Sequence, residues 1–193
     1  MPEQTDVVRA ALQIADGRMA MLQALARLKL PDAWVAAGAV RNAVWDSLHA
    51  CAHSTPLADV DVIWFDASRP NKALDRKLER QLRDLLPGTP WSVKNQARMH
   101  QRNGDAPYAD CLDAMRRWPD TATCIAARLA ADGTIELNAA YGFDDLLGCR
   151  LRPTPYFTTD RLAVFRDRIA SKRWQQYWPR LTTTQDPPPE TFG

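Results

Sequence analysis

Apolar residues recur at helical spacing in several parts of the chain. In residues 6–28 they fall every three or four positions, which predicts a helix broken near Asp16 and Gly17. Residues 69–86 place leucines on one side and Arg and Lys on the others, which predicts an amphipathic helix that ends at Pro87. Further helical segments are predicted over 38–50, 108–117, 143–147 and 158–178.

Short runs of β-branched and aromatic residues predict the strands, at 34–37, 59–65 and 91–95. Residues 121–130 and 134–140 predict a hairpin around Asp132-Gly133. Strands alternate with helices early in the chain and pair as a hairpin later. We therefore expect an α/β (α+β) fold with a mixed sheet flanked by helices, plus a C-terminal helix.

Length and termini indicate one domain. The 193 residues predict a single domain over 1–180, and the Pro-rich segment 181–193 predicts a disordered tail. No apolar run approaches the roughly 20 residues that a membrane span needs, and residues 1–10 lack the pattern of a signal peptide. We expect a cytoplasmic protein with no membrane partner; the oligomeric state stays open.

Charge is unevenly distributed although the net charge is only +2. Lys and Arg outnumber Asp and Glu by nine to three over 69–102 and by eight to two over 150–180, whereas acids lead by eight to three over 103–149. Such a distribution favours an anionic substrate beside metal-binding carboxylates, and solvated helix faces are the alternative. The four cysteines and three histidines lack zinc-knuckle spacing, which indicates reduced thiols.

Two aspartates stand at the start of the strand DVDVIWF, 59–65. Side chains alternate along a strand, so Asp59 and Asp61 share one face while Val60 and Val62 point into the core. Neighbouring carboxylates repel each other, and a bound cation would keep them together. Oxygen ligands suit Mg²⁺ or Mn²⁺, which also bind substrate phosphates. The alternative is a strand end with two solvated acids.

The segment GAVRN, 38–42, follows strand 34–37 and opens a helix. Gly38 lets the backbone approach an anion, and the helix N-terminus favours negative charge. Arg41, one turn into the helix, can bind a phosphate through two N–H groups. Beside the paired aspartates, this segment predicts a phosphate-binding turn.

These residues resemble a known family. The stretch AAGAVRNAVWDSLHACAHSTPLADVDVIWF, 36–65, resembles the opening of the nucleotidyltransferase head domain of CCA-adding enzymes and bacterial poly(A) polymerases, with its Gly-Gly-x-Val-Arg-Asp helix start and DxD strand. Residues 118–153 resemble later parts of that head. The whole chain is similar to a family of small bacterial nucleotidyltransferase-like proteins through DVDVIWFD, VKNQARMH, WPDTAT and RPTP. The resemblance covers about 30–155, the expected core.

The resemblance implies a role for particular residues. Asp59 and Asp61 would hold Mg²⁺ or Mn²⁺, and Asp120 would act with them as a catalytic residue that touches the nucleotide. The expected phosphate ligands are Gly38, Ala39, Arg41, Asn42, Lys94 and Arg98. The chain departs from the larger enzymes at Ala37, where they have Gly, and near 91–100, where their additional acid is missing.

The leading hypothesis is a metal-dependent nucleotidyltransferase that moves a nucleoside monophosphate from an NTP to a hydroxyl acceptor, which could be RNA or a small molecule. The missing acid favours a different class, a catalytically silent nucleotide- or RNA-binding module on the same fold. If a third carboxylate completes the site, we expect Asp120 to supply it, with Glu136 second. The aromatic and basic segment 158–178 could stack on bases, but its apolar spacing favours packing against the sheet.

Overall fold

A computed structural model describes residues 2–188 of the 193-residue chain. The helices are α1 (Pro2–Ile14), α2 (Arg18–Arg27), α3 (Gly38–Leu48), α4 (Lys72–Leu85), α5 (Met99–Asn103), α6 (Cys111–Met115), α7 (Asp144–Leu147) and α8 (Leu162–Lys172). The strands are β1 (Trp34–Ala36), β2 (Val60–Trp64), β3 (Trp91–Asn95), β4 (Ile125–Leu129), β5 (Ile135–Ala139), β6 (Arg150–Leu151) and β7 (Thr182–Thr183). None of the described helices is both long enough and apolar enough to cross a bilayer.

The main sheet is mixed, with the strand order β3-β2-β1-β4-β5. Strand β1 is antiparallel to both β2 and β4, and β5 returns antiparallel to β4 as the predicted hairpin. Strand β3 is parallel to β2, because α4 carries the chain back between them. The mixed α/β architecture expected from the sequence is confirmed.

The two faces of the sheet have different roles. One face of β2 belongs to the large core that the sheet shares with the helices. Its residues Val60, Val62 and Trp64 are fully buried. The alternate residues Asp61 and Ile63 therefore project to the opposite face. That face carries a smaller apolar cluster around Ile63 and leaves room for a cavity.

The C-terminal segment packs onto α3. Trp174 and Trp178 contact the ring of Trp45 edge-on, with ring centroids 5.8 and 5.1 Å apart. The indole N–H of Trp178 donates to Asp46 at 2.8 Å. Phe165 of α8 is 1% exposed and belongs to the same core. The segment thus packs on the domain, but these contacts are with α3, whereas the sequence predicts packing against the sheet.

Several elements differ in extent from their predictions. The C-terminal helix ends at Lys172, because Arg173 adopts a left-handed conformation with φ 49°. The first hairpin arm begins with a 3₁₀ turn at Thr121–Thr123 before β4 starts. Part of the segment expected to be disordered is ordered, since β7 pairs with β6 and Leu181 is 3% exposed. Residues 189–193 of the predicted tail lie outside the described residues.

Candidate active site

The turn from β1 into α3 has unusual backbone geometry at Ala37. Its φ of 53° and ψ of −123° belong to a region that side chains with a Cβ rarely adopt. The turn is held on both sides: Ala37 N donates to the Ile125 carbonyl at 2.9 Å, and Arg41 N donates to the Ala37 carbonyl at 2.9 Å. The residue that needs the special conformation is Ala37, and Gly38 is the first residue of the helix.

The paired aspartates lie beside this turn. Asp61 is directly opposite Ala36 in the sheet, one residue from Ala37, and Asp59 precedes the first residue of β2. Asp59 is exposed, whereas the side chain of Asp61 is 32% exposed. The strand of the aspartates therefore lies next to β1 and close to the N-terminus of α3.

The electrostatic environment of Asp61 disfavours its charged form. Burial raises the pKa of Asp61, and the nearby negative charge of Asp59 raises it further. Lys94 of β3 acts in the other direction, because its Nζ lies 3.6 Å from Asp61 Oδ1. Two carboxylates that repel each other beside one ammonium group make a site that a further cation would stabilise.

A cavity of about 420 Å³ opens on this face of the sheet. One wall contains Ala37, Asp61 and Thr123, and the other contains residues 117–119 together with Tyr156, Phe157 and Arg161. Its charged lining residues are Asp61, Lys94, Arg102, Asp105, Arg117, Arg161 and Arg168. Five cationic groups against two carboxylates favour an anionic ligand.

The side chains on α3 that were expected to bind phosphate are buried and lie outside the cavity. Arg41 is 4% exposed, and its guanidinium donates to Thr123 Oγ1 and to Asn42 Oδ1, each at 2.8 Å. Its guanidinium carbon lies 4.0 Å from the ring centroid of Trp174, and burial lowers the pKa of Arg41 to about 10. Arg41 is therefore covered by the C-terminal segment. Asn42 and Ala39 are buried as well, at 6% and 1% exposure, and none of these three side chains lines the cavity.

Asp120 is also buried, at 0% exposure. One carboxylate oxygen accepts from Thr123 N at 2.9 Å, and the other accepts from Arg168 Nε at 3.1 Å. Direct contact between Asp120 and a nucleotide, as expected from the resemblance, is not supported by this geometry. Asp120 instead orients Arg168, which lines the cavity.

The two basic residues expected near β3 have separate roles. Lys94 lines the cavity next to Asp61. Arg98 binds the 3% exposed Asp75 of α4 through two nitrogens, one of them at 2.7 Å. A phosphate-binding role for Arg98 is not supported, because its guanidinium is used to fix α4 to the end of β3.

No third acid joins the aspartate pair within residues 2–188, where no group of three or more His, Cys, Asp or Glu side chains could hold a metal. Glu136 pairs with Arg128 at 2.6 Å on the edge strand β5. Three strand spacings separate β5 from β2, or about 14 Å. The expectation that Glu136 supplies a ligand is not supported.

Sequence reasoning missed the cavity residues that come from the C-terminal half, namely Asp105, Arg117, Tyr156, Arg161 and Arg168. The excess of basic residues over 150–180 was the available signal. It indicated an anionic ligand, but only the packing of α8 shows which of these arginines reach the cavity.

The comparisons with known proteins agree with this arrangement. A nucleotidyltransferase family model matches residues 23–183. An NMR structure that reveals a CCA-adding enzyme head domain is 34% identical, with a TM-score of 0.81, and the match covers 93% of this chain and 95% of that one. The Thermotoga maritima CCA-adding enzyme complexed with tRNA is 14% identical with a TM-score of 0.53, over 86% of this chain but only 38% of that one. No match to a curated protein was found.

The family model spans most of the chain, and the match to the head-domain structure is nearly complete for both chains. The likeness to the Thermotoga enzyme concerns the fold alone. The chain belongs to the nucleotidyltransferase family and has the fold of a CCA-adding enzyme head domain.

Proposed function

We propose that the protein is a metal-dependent nucleotidyltransferase that transfers a nucleoside monophosphate from an NTP to a hydroxyl acceptor. The observation that carries this proposal is the position of Asp61. It lies in a cation-lined cavity, next to a second aspartate and one strand away from the N-terminus of α3. A structural ion pair would need neither the second acid nor the cavity.

The donor set suits a divalent cation. Asp59 and Asp61 offer carboxylate oxygens. Burial first and the charge of Asp59 second raise the pKa of Asp61, and bound Mg²⁺ or Mn²⁺ would offset both by favouring the ionised carboxylates. Magnesium typically takes one or two carboxylates, keeps several waters and binds substrate phosphates, so two acids are sufficient for one ion. When bound, the ion would neutralise charge on the triphosphate and on the leaving pyrophosphate.

The protein's own groups would bind and orient the triphosphate. Arg168 is held through Nε by Asp120, which leaves its two amino groups for a phosphate. Lys94 adds a positive charge on β3, and the first N–H groups of α3, from Gly38 and Ala39, have no acceptor inside the helix. In this proposal Arg168 takes the direct role that the sequence suggested for Arg41, and Arg41 supports the turn from beneath.

The reaction exchanges one phosphorus–oxygen bond for another. The acceptor oxygen bonds to the α-phosphorus, the bond from that phosphorus to the bridging oxygen breaks, and pyrophosphate leaves. The hydroxyl proton passes to solvent. An NTP donor and a cytoplasmic location belong to this proposal and stay predictions, as does the choice between RNA and a small-molecule acceptor.

A silent nucleotide- or RNA-binding module is the second candidate. It is favoured by one observation, the absence of a third acid beside Asp59 and Asp61 among the described residues. Two-metal transfer needs ligands for both ions. The two candidates differ in turnover but share metal-dependent binding of the nucleotide.

Binding is tested first, by thermal shift of the parent protein with each of the four NTPs and either Mg²⁺ or Mn²⁺. A ligand at 100 times its Kd stabilises a protein by about 2.7 kcal/mol, or roughly 5–10 °C at this chain length. Asp61→Asn should abolish the metal-dependent part of the shift. Asp84→Asn is the matched control, because Asp84 is exposed on α4 and does not line the cavity.

Equal metal-dependent shifts in the parent and in Asp61→Asn would refute the proposed site. Incorporation of labelled NTP into pooled small RNAs or small hydroxyl compounds then separates the two candidates. Turnover that Asp61→Asn loses supports the enzyme. Metal-dependent binding without turnover, across all four NTPs and both metals, would favour the silent module.

A further inference from the structure

The second wall of the cavity is built around one tyrosine ring. The guanidinium carbon of Arg161 lies 4.0 Å from the ring centroid of Tyr156, and that of Arg117 lies 5.0 Å from it. The hydroxyl of Tyr156 donates to Asp105, which also accepts from the hydroxyl of Tyr108. The carboxylate of Asp105 is only 1% exposed, so the ring is fixed from behind by a buried acceptor.

The two arginines of this wall keep most of their donors available. Arg161 is 4.0 Å from the nearest oxygen of Asp105, the outer limit of an ion pair, and 43% of its side chain is exposed. No ion pair of Arg117 is found in the part of the chain that the structure describes. Stacking on a ring occupies the face of a guanidinium and leaves its in-plane N–H groups for an anion. Both residues line the cavity.

This wall is separate from the groups that would bind the triphosphate. Arg161 and Arg168 are seven residues apart, so they lie on nearly the same side of the helical segment, about 10 Å apart along its axis. Arg168 is tied to Asp120 beside the sheet, whereas Arg161 stacks on Tyr156 in the second wall. The cavity thus has two cationic regions, of which the proposed triphosphate site uses one.

We propose that Arg117 and Arg161 form a second anion subsite, which binds a phosphate group carried by the acceptor. The proposal rests on the proposed function, because it assigns the first region to the NTP. Two guanidinium groups on one fixed ring can share the oxygens of a phosphate through in-plane hydrogen bonds. An acceptor without a phosphate would leave both cations unneutralised in the cavity, so the subsite selects phosphorylated acceptors.

The first test uses the parent protein and inorganic phosphate as the probe. The side-chain Nε–H signals of arginine are followed by NMR during a phosphate titration, without nucleotide and with a non-hydrolysable NTP and Mg²⁺ at saturation. We expect phosphate to shift the Arg117 and Arg161 signals under both conditions. The proposal is overturned if phosphate leaves both signals unmoved. It is also overturned if the NTP itself shifts these signals and phosphate has no further effect once the NTP is bound.

The second test uses variants. Arg117→Gln and Arg161→Gln together should weaken phosphate binding at least about tenfold, while the Kd for the NTP with Mg²⁺ stays unchanged. Arg116→Gln is the matched control, because Arg116 is exposed beside Arg117 and does not line the cavity. Unchanged phosphate binding in the folded double variant would contradict the proposal, and a circular-dichroism melt checks that it is folded.

Two further comparisons identify the source of the phosphate. Ribose 5-phosphate is compared with ribose, and a 5′-phosphorylated RNA tetranucleotide with its dephosphorylated form. In at least one pair the phosphorylated member should bind more tightly, and the double variant should lose the difference. No preference in either pair would refute the subsite. The proposed function fails separately, if the parent shows no metal-dependent NTP binding while phosphate still shifts both arginines.

Discussion

Replacement of Ala37 by glycine tests whether the turn into α3 is strained. Ala37 has a φ of 53° and a ψ of −123°, and it is held there by backbone hydrogen bonds to β4 and α3. Glycine adopts this conformation without a steric penalty. Ala39→Gly, in the first turn of α3, is the matched control, since Ala39 is 1% exposed and Ala37 is 7% exposed.

The expected magnitudes follow from three terms. Each variant loses a buried methyl group, which costs about 0.8 kcal/mol. Each also gains the greater backbone freedom of glycine in the unfolded state, which costs about 0.5–1 kcal/mol. Only Ala37→Gly recovers backbone strain, of about 1–3 kcal/mol. Ala39→Gly should therefore lose about 1.5 kcal/mol, whereas Ala37→Gly should lie between a loss of about 0.5 kcal/mol and a gain of about 1.5 kcal/mol.

The assay is urea unfolding at 25 °C, with a thermal melt as a second measurement. The difference of about 2 kcal/mol between the variants should put the Tm of Ala37→Gly roughly 4–8 °C above that of Ala39→Gly. Equal destabilisation of the two variants would show that Ala37 carries no strain. Although Ala37 lines the cavity, glycine keeps the same turn and removes only a methyl group, so NTP binding by Ala37→Gly should equal that of the parent.

Three further predictions concern the basic residues and the thiols. Arg98→Gln should lower the free energy of unfolding by about 3 kcal/mol, because it leaves the buried Asp75 carboxylate unpaired. The Kd of the folded variant for NTP should not change, and a large loss of binding at parental stability would contradict the structural role of Arg98. Arg168→Gln should weaken NTP binding about tenfold or more by isothermal titration, and Arg166→Gln, an exposed neighbour on α8, should not. A thiol reagent at pH 8 should modify Cys51 first, because the other three cysteines are buried and react only on unfolding. Cys51 should react more slowly than free cysteine, since burial and the neighbouring carboxylate of Asp46 raise its pKa; fast reaction of a second thiol would refute this.

The sheet could be predicted from sequence because its strands carry strong local signals. Residues 91–95 were assigned correctly, since β-branched and aromatic residues alternate with polar ones there. The 3₁₀ turn at Thr121–Thr123 could not be predicted in the same way. Its cap depends on Asp120, which is fixed by Arg168 from 48 positions away. The same holds for β7, because its pairing with β6 involves only two residues of each strand and joins segments that are distant in the chain.

The site shows the same division between local and distant information. The aspartate pair and the α3 turn are each encoded by a short local motif, and the alternation of side chains along a strand is enough to place Asp61 away from the core. Arg41 was a reasonable phosphate ligand from its position in the helix. What the motif could not indicate is that Trp174, 133 residues later, covers it. Once Arg41 is covered, a cavity for an anion needs a different arginine.

The C-terminal segment supplies that arginine and also fixes its position. Trp174 lies against both guanidinium groups, with its ring centroid 4.0 Å from Arg41 and 5.3 Å from Arg168. The segment that buries Arg41 is thus the one that brings Arg168 to the cavity, and Arg161 lies two helical turns before it. Docking of this segment on α3 therefore sets the distance between the aspartates on the sheet and both cationic regions. A nucleotide bridging Asp61 and Arg168 would in turn stabilise the docked segment and, with it, the second subsite at Arg161, so the two substrates should bind cooperatively.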